Sequence, residues 1–247
     1  MGIKTADRTL DLVELFARDQ RPLNLSEMAE LMGIPVSSAH GLVKTLQARG
    51  YLYEINRKQG YFPTKKLAVM TNSISRAIPL LDKLEPHLSQ LRDDSEETVV
   101  LAKQQGDLVT YLDVFECNQS VRFSPISGEM KHLHSTASGK AILASMPNHE
   151  REMFLRRAPL EWRTPNTITD VERLRQEIEM GRQRGWCNIE GENIPDLMAI
   201  AAPVKINEEI YVIVIGGPIQ RFKPLVNEHA KKLLTVCNAI ETQAIGN

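Results

Sequence analysis

The 247-residue sequence has only three cysteines, Cys117, Cys187 and Cys237, which are far apart and form no Cys-x-x-Cys pair. Their number and spacing argue against a disulfide framework and against structural zinc, and they suit a reducing cytoplasm. No apolar run approaches the roughly 20 residues of a membrane helix, and the N-terminus shows no signal-peptide core. We therefore expect a cytoplasmic protein with no membrane partner.

The motifs of the common enzyme classes are also missing. The sequence contains no G-x-S-x-G, P-loop or dinucleotide-binding motif. His132 and His134 have no further ligand residue at metal-binding spacing, so we expect no metal and no cofactor. These absences favour a protein that is not an enzyme.

Two residue clusters keep an enzymatic alternative open. Cys187, near Glu190 and Glu192, would be a nucleophile if a histidine reached it, whereas the other interpretation is a buried packing residue. Glu96 and Glu97 would point to opposite faces of a strand, which predicts a solvated charge run rather than an acid–base pair.

The chain has little net charge, but its charges are unevenly distributed. Residues 1–68 carry ten Lys and Arg against seven Asp and Glu, and the remainder carries twenty against twenty-four. A basic surplus favours a polyanionic partner. The length suits two domains, and the first of them is therefore the candidate for nucleic-acid binding.

The first seventy residues predict three helices and a hairpin. The apolar spacing of TLDLVELF indicates a first helix. A short second helix is expected, with Ser26 as its N-cap and Gly33 just beyond its end. A third helix follows with Ser37 or Ser38 as its cap and ends at Gly50, after which two short strands flank a basic turn over residues 56–60.

This order of elements is typical of a winged helix-turn-helix. The third helix has apolar residues at three- and four-residue steps and short polar residues on the opposite face, which suits the major groove. A basic hairpin tip reaches the phosphate backbone. The predicted contacts to double-stranded DNA are Ser37, Ser38, His40, Lys44, Arg57 and Lys58. A protein-binding winged domain is the alternative.

The remaining chain predicts an α+β fold. Residues 64–84 have a helical pattern. Two later segments each predict a hairpin, with turns at residues 105–107 and 207–208. Helices are expected over residues 137–145, 150–157, 171–184 and 224–241. Antiparallel strands with helices packed on them indicate an α+β domain.

The segment HSTASGKAIL is the candidate ligand site. Small residues lead into a helix start, where free backbone N–H groups and the helix dipole suit a carboxylate or phosphate. From the residues alone, an ordinary packed helix start is the alternative.

From about Thr5 to its end, the chain resembles the isocitrate-lyase-regulator (IclR) family of bacterial transcription factors. The resemblance is carried by KTADRTLDLVELF, LSEMAELMGIPVSSAHGLVKTLQARGYL, GEMKHLHSTASGKAILASMP, RGWCNIEGENIPDLMAIAAPV and VIVIGGP. Two positions depart from it. Gly41 stands where the family usually has an arginine in the recognition helix, and Asp196 stands where a glycine is common.

The resemblance implies three segments: a winged helix-turn-helix domain over residues 1–66, a linker helix over 67–84, and a GAF-like effector-binding domain with an antiparallel sheet over 85–247. It also implies dimers formed through the linker, homodimers or dimers of dimers, and a pseudo-palindromic operator. The expected function is a regulator, repressor or activator of a catabolic operon, whose operator affinity a small organic acid controls.

The resemblance further implies the effector-binding positions. They are Phe123, Lys131, Ala137, Ser138, Gly139, Ile189, Glu190, Leu197, Ala199, Val214 and Gly216. Because Val214 and Gly216 replace hydroxyl side chains of members that bind small polar acids, we expect a ligand with an anionic end and an apolar body, such as an aromatic or branched acid. A GAF-like thiol enzyme and a ligand-independent DNA- or protein-binding module are the alternatives.

Overall fold

The computed structural model describes residues 3–56, 58–75 and 79–245. The chain divides into two compact units, residues 1–79 and 80–247, here called the N-terminal and C-terminal units. Where one linker helix was expected over residues 67–84, helices α4 and α5 are found, and residues 76–78 lie outside the described ones. The predicted three-segment division therefore stays a prediction.

The N-terminal unit is a winged helix-turn-helix, as predicted. Its elements are α1 (Lys4–Asp19), α2 (Leu25–Leu31), α3 (Val36–Ala48), β1 (Leu52–Asn56), β2 (Gly60–Pro63) and α4 (Lys66–Ser75). Strands β1 and β2 pair antiparallel. One apolar core joins the first three helices to β1.

The start of α2 corrects one predicted cap. The cap is Asn24 and not Ser26: its side-chain oxygen accepts from the backbone N–H groups of Ser26 and Glu27, each at 3.0 Å. The Glu27 carboxylate accepts from the Asn24 N–H at 2.9 Å, which completes a capping box. The box satisfies several of the N–H groups that a helix start leaves free, so the helix begins one residue before Ser26.

The start of α3 corrects the second predicted cap. The helix begins at Val36, and neither Ser37 nor Ser38 caps it, because Pro35 precedes it with an extended backbone and no side-chain hydrogen bond. The predicted helix ends are confirmed, since Gly33 and Gly50 follow α2 and α3 with φ of +61° and +75°.

The wing is held at its base by a backbone bridge. Leu23 N–H donates to the Tyr61 carbonyl at 3.1 Å, and Tyr61 N–H donates to the Leu23 carbonyl at 2.8 Å. Gly60, with φ of +86°, lies so close that a Cβ there would overlap the Leu23 carbonyl group. This close approach requires glycine and fixes the hairpin against the segment between α1 and α2.

The C-terminal unit is built on one antiparallel sheet with the strand order β5-β4-β3-β8-β7-β6. The strands are β3 (Thr98–Gln105), β4 (Leu108–Phe115), β5 (Met130–His132), β6 (Cys187–Glu190), β7 (Leu197–Ile206) and β8 (Glu209–Pro218). Both predicted hairpins are confirmed: Gly106 turns at φ +61°, and Asn207 and Glu208 turn at +49° and +67°. The short edge strands β5 and β6 were not predicted.

Helices cover both faces of this sheet. They are α5 (Pro79–Ser95), α6 (Ala137–Ser145), α7 (Asn148–Arg157), α8 (Val171–Arg184), α9 (Ile219–Phe222), a 3₁₀ turn (Lys223–Leu225) and α10 (Val226–Ile245). Successive residues of β3 alternate between two cores, one with α6, α7 and α8 and the other with α5 and α10. Within the described ranges, no helix is long and apolar enough to cross a membrane.

We predict that Gly60→Ala loosens the wing. Strain at positive φ costs about 1–3 kcal/mol, and the new methyl group also overlaps the Leu23 backbone. Hydrogen exchange measured on the full chain should be at least about tenfold faster over residues 52–63, because 1.36 kcal/mol corresponds to a factor of ten.

Gly50→Ala is the matched control. Gly50 also has positive φ, but no atom lies within 4 Å of its Cβ position. This variant should leave exchange over β2 nearly unchanged, and equal effects of both substitutions would contradict the proposed close contact.

Candidate functional site

Helix α3 has a buried face and an exposed polar face. Its buried residues are Ala39, Leu42, Val43 and Leu46. Of the predicted DNA contacts, Ser37, His40 and Lys44 are exposed and Ser38 is half-buried. Gly41 is also exposed, with no atom within 4 Å of its Cβ position. The helix therefore presents short polar side chains and one lysine to a partner.

The hairpin turn follows α3 by a few residues. Lys58 is exposed, and the N–H groups of Lys58 and Gln59 donate to the Asn56 side-chain oxygen at 3.0 and 2.8 Å. Arg57, the other predicted wing contact, lies outside the described residues. An Asx turn thus orders the backbone at Lys58 and Gln59.

Two cations that are not among the predicted DNA contacts lie near the end of α3. Lys66 Nζ donates to the Arg49 carbonyl at 2.7 Å and lies 4.6 Å from the centre of the Tyr51 ring. Arg49 also lies over that ring, at 5.8 Å. Lys66 satisfies a free carbonyl at the C-terminus of α3 and thereby stabilises the N-terminal unit.

The HSTASG turn of the C-terminal unit is closely packed. Thr136 caps α6, and its hydroxyl oxygen accepts from Gly139 N–H at 3.1 Å. Ala137, Ser138 and Gly139 are buried, and a Cβ on Gly139 would overlap the Leu133 backbone. The close packing seats the positive end of the helix dipole directly on the sheet.

Tyr111, on β4, lies beside this turn, although it was not among the predicted site residues. Its phenol lies near Ser138, and burial raises the pKa of Tyr111 to about 12. The phenol therefore stays neutral and can donate or accept a hydrogen bond beside the first turn of α6.

Five of the eleven expected effector positions lie in or against one apolar core. Ala137, Ile189, Ala199 and Val214 belong to the core on the α6 face, and Phe123 packs against it. A Cβ on Gly216 would lie 3.0 Å from the Phe123 ring, so the ring covers Gly216. The sheet thereby brings together residues from three strands, one loop and α6.

An open cavity of about 310 Å³ lies beside this core. Its walls include three expected effector residues, Phe123, Lys131 and Leu197, together with Arg122 and Asp196. The walls are mainly apolar carbons, with two cations, Arg122 and Lys131, and two carboxylates, Glu129 and Asp196, among them. A carboxylate with an apolar body fits such a surface.

Both cations of the cavity wall are already paired. Lys131 Nζ lies 2.8 Å from Glu129, and Arg122 lies 3.1 Å from Glu116. Glu190, also expected at the effector site, instead pairs with Lys223 at 2.7 Å and lines a different cavity. Glu190 therefore lies outside the cavity that Phe123, Lys131 and Leu197 line.

A buried ion pair ties α6 to the segment after β6. Lys140 is 1 % exposed, and its Nζ lies 2.6 Å from the Glu192 carboxylate. Burial raises the pKa of Glu192, and the lysine charge only partly opposes this effect. Thr167 adds a second hydrogen bond to this segment, from its hydroxyl to the Glu192 carbonyl at 2.6 Å. This pair holds the segment that leads to Leu197 in the cavity wall.

The predicted solvated charge run at Glu96 and Glu97 is wrong for Glu97, whereas Glu96 is exposed. Glu97 is buried, and both of its carboxylate oxygens accept from Arg221, at 2.7 and 2.8 Å. Arg221 also donates to the Val121 carbonyl at 3.2 Å, and the Thr98 hydroxyl donates to the Phe123 carbonyl at 2.6 Å. The acid therefore anchors the loop that holds the Phe123 ring.

Comparison with protein families matches both units. Residues 5–55 match the IclR helix-turn-helix domain, and residues 73–242 match the C-terminal domain of bacterial IclR transcriptional regulators. The chain belongs to the IclR family.

Curated relatives of this IclR-family chain are transcriptional regulators or repressors. The glycerol operon regulatory protein of Streptomyces griseus is 30% identical over 228 residues, covering 90% of this chain and 88% of that protein. The Escherichia coli transcriptional repressor IclR is 28% identical, with 89% and 81% covered, and the Salmonella typhimurium acetate operon repressor is 27% identical, with 89% and 81% covered.

Solved structures agree with the fold. The Thermotoga maritima IclR structure has a TM-score of 0.83 at 26% identity and covers 98% of this chain and 99% of that one. An IclR homolog from Microbacterium hydrocarbonoxydans, complexed with 4-hydroxybenzoate, has a TM-score of 0.78 at 22% identity, with 98% and 100% covered. The α+β prediction is confirmed.

IclR-family regulators bind DNA, and this chain is a transcriptional regulator rather than an enzyme. The thiol alternative also fails on chemistry, because burial raises the pKa of Cys187 to about 12, whereas a nucleophilic thiol needs a lowered pKa. Among the described residues, no group of three or more His, Cys, Asp or Glu lies together as a metal site would require.

We predict that Lys140→Met destabilises the C-terminal unit of this IclR-family protein by about 3–5 kcal/mol, because it leaves a buried carboxylate without its partner. Urea unfolding followed by tryptophan fluorescence reports this unit, since both tryptophans, Trp162 and Trp186, lie in it. The double variant with Glu192→Leu should recover most of the loss.

The deficit should shrink as the pH falls, since a buried acid whose pKa is raised gains stability when it is protonated. Lys131→Met, which breaks a half-exposed pair, should cost less than about 1 kcal/mol. Equal losses from Lys131→Met and Lys140→Met would contradict a special role for the buried pair.

Proposed function

We propose that this regulator reads an operator through α3 and its wing. Ser37, Ser38, His40 and Lys44 would face the major groove, and Arg57 and Lys58 would contact the backbone. The observation that carries the proposal is the exposed polar face of α3 directly opposite its buried stripe. A helix with this division can enter the groove without losing its core contacts.

A dimeric assembly on a pseudo-palindromic operator goes with this proposal. Helix α4 exposes Val69, Met70 and Ile74, at 62, 40 and 59 %. An apolar helix face of this kind supports pairing with a second copy, which would set two recognition helices about one DNA turn apart. In this scheme residues 1–66 bind DNA in the cytoplasm, 67–84 link and pair the subunits, and 85–247 bind the effector.

The second part of the proposal is a small organic acid as effector, for control of a catabolic operon. The cavity of about 310 Å³ lies at the lower end of ligand-pocket sizes, which run from about 300 to 1,000 Å³. Its mainly apolar wall suits an aromatic or branched body, and Lys131 suits the carboxylate. The homolog complexed with 4-hydroxybenzoate supports the choice of an aromatic acid.

The expected effector positions contribute in two groups. Phe123, Lys131 and Leu197 would form the wall of the cavity, while the buried residues behind them would set its depth. The residues behind are Ala137, Ser138, Gly139, Ile189, Ala199, Val214 and Gly216. Because Gly216 has no side chain, the Phe123 ring lies where a longer side chain would clash.

For the DNA interface we predict that Lys44→Ala weakens binding to all DNA sequences. Losing one phosphate contact should lower the slope of log K against log salt by about one. Fluorescence anisotropy at several salt concentrations measures this slope. Lys103→Ala, a lysine of the C-terminal unit paired with Glu209, should leave the slope unchanged, and an unchanged slope for Lys44→Ala removes this residue from the interface.

For the effector we predict that Lys131→Met weakens 4-hydroxybenzoate binding about tenfold or more, since a charge-assisted hydrogen bond contributes about 1.5–3 kcal/mol. Titration calorimetry measures the affinity, and a branched acid and a tiny keto acid complete the panel. Lys232→Met, which breaks the Glu228 pair at the surface, is the matched control. Preference for the tiny keto acid would contradict an apolar ligand body, and operator affinity that ignores every acid would favour a ligand-independent module.

A further inference from the structure

Val36 is an apolar side chain exposed at the start of the recognition helix. It is the first residue of α3 and remains 51 % exposed. It lies outside the apolar core that joins α1, α2 and α3. Its neighbours Ser37 and His40 are exposed as well.

The fold of the N-terminal unit does not account for a valine here. Valine is a mediocre helix former, and Pro35 before it supplies no side-chain cap. An acid or a serine in this first turn would interact better with the helix dipole and with water. The residue belongs to no apolar core of the described residues and about half of its surface is exposed, so its isopropyl group is available to a partner.

The position and the chemistry identify that partner. The N-terminal residues of a recognition helix contact base edges in the major groove. The apolar group that the major groove presents is the 5-methyl of thymine, which small apolar side chains recognise by contact. Gly41, exposed and with open space around its Cβ position, has no side chain that would hold the middle of α3 away from the bases.

We propose that Val36 contacts the 5-methyl group of one thymine in each operator half-site and so selects a T·A pair at that position. The inference rests on the proposed DNA interface of α3 and adds to it a base preference that none of the polar contacts supplies. The contact is hydrophobic, so it is independent of salt, unlike the contact of Lys44.

The test begins with selection of an operator from random DNA by the full chain. Each thymine of the selected site is then replaced by deoxyuridine, which removes only the 5-methyl group. For the unmodified protein, one position in each half-site should lose about fourfold in affinity, the factor expected for one buried methyl group. The same replacement in both half-sites should multiply the two losses.

Two variants of Val36 identify the side chain responsible. Val36→Ser should bind the thymine and deoxyuridine sites equally at that position and keep its sensitivity elsewhere. Val36→Ile, which keeps the apolar contact, should retain the loss. His40→Ala, a polar neighbour on the same helix, should also retain it, and circular dichroism should show all three variants folded.

The possible outcomes distinguish failure of the methyl contact from failure of the proposed DNA interface. Deoxyuridine effects that are the same in Val36→Ser and in the unmodified protein would overturn the methyl contact, although DNA binding that depends on Lys44 would stand. Failure of the selection to enrich any sequence would overturn both, because no base would then be read by α3. A T·A preference that Val36→Ser abolishes supports the proposal.

Discussion

The pairing of β3 with β8 is the interaction on which the C-terminal unit depends. It runs antiparallel from Thr98 opposite Gly216 to Lys103 opposite Tyr211. Each of these strands belongs to a local hairpin that its own turn can form. Only the pairing between the hairpins turns two small ribbons into one sheet with two covered faces, because a single hairpin buries too little surface to be stable.

The candidate effector site follows from this pairing. Gly216 lies at the end of β8, and Phe123 covers it from the loop that follows β4. Two ion pairs hold the surrounding segments, Glu97 with Arg221 and Lys140 with Glu192. Buried pairs add little net stability, but breaking one leaves a charge without a partner, so they resist other arrangements of the loops. In this domain the two ion pairs fix the positions of the cavity walls and add little to the net stability of the fold.

The helices of the N-terminal unit are set mostly by interactions between residues close in the sequence. The Asn24–Glu27 capping box and the glycines after α2 and α3 set helix limits within a few residues of themselves. The wing needs one longer contact, the bridge from Leu23 to Tyr61, and Gly60 permits it. The unit therefore has a hairpin with a fixed base and a helix with one exposed polar face. The proposed DNA interface needs only these two features.

The elements with local causes could be predicted from the sequence alone. The stripe of apolar residues in α3, the hairpin turns at Gly106 and at Asn207-Glu208, and the helices over 137–145 and 171–184 all follow from spacing and turn chemistry. The predicted DNA contacts of α3 lie on its accessible side for the same reason. Caps were less certain, because Asn24 and Ser26 are both good capping residues and only the backbone path distinguishes them.

Only the tertiary structure decided the rest. The partner of Lys140 is 52 residues away in the chain and that of Glu97 is 124 residues away, so no local pattern distinguishes either from a solvated surface charge. The three- and four-residue edge strands β5 and β6 are too short to show a period and form only because a neighbouring strand offers hydrogen bonds. Local spacing therefore determined the helices and hairpins, whereas burial and long-range pairing decided which charges are hidden and where the cavity lies.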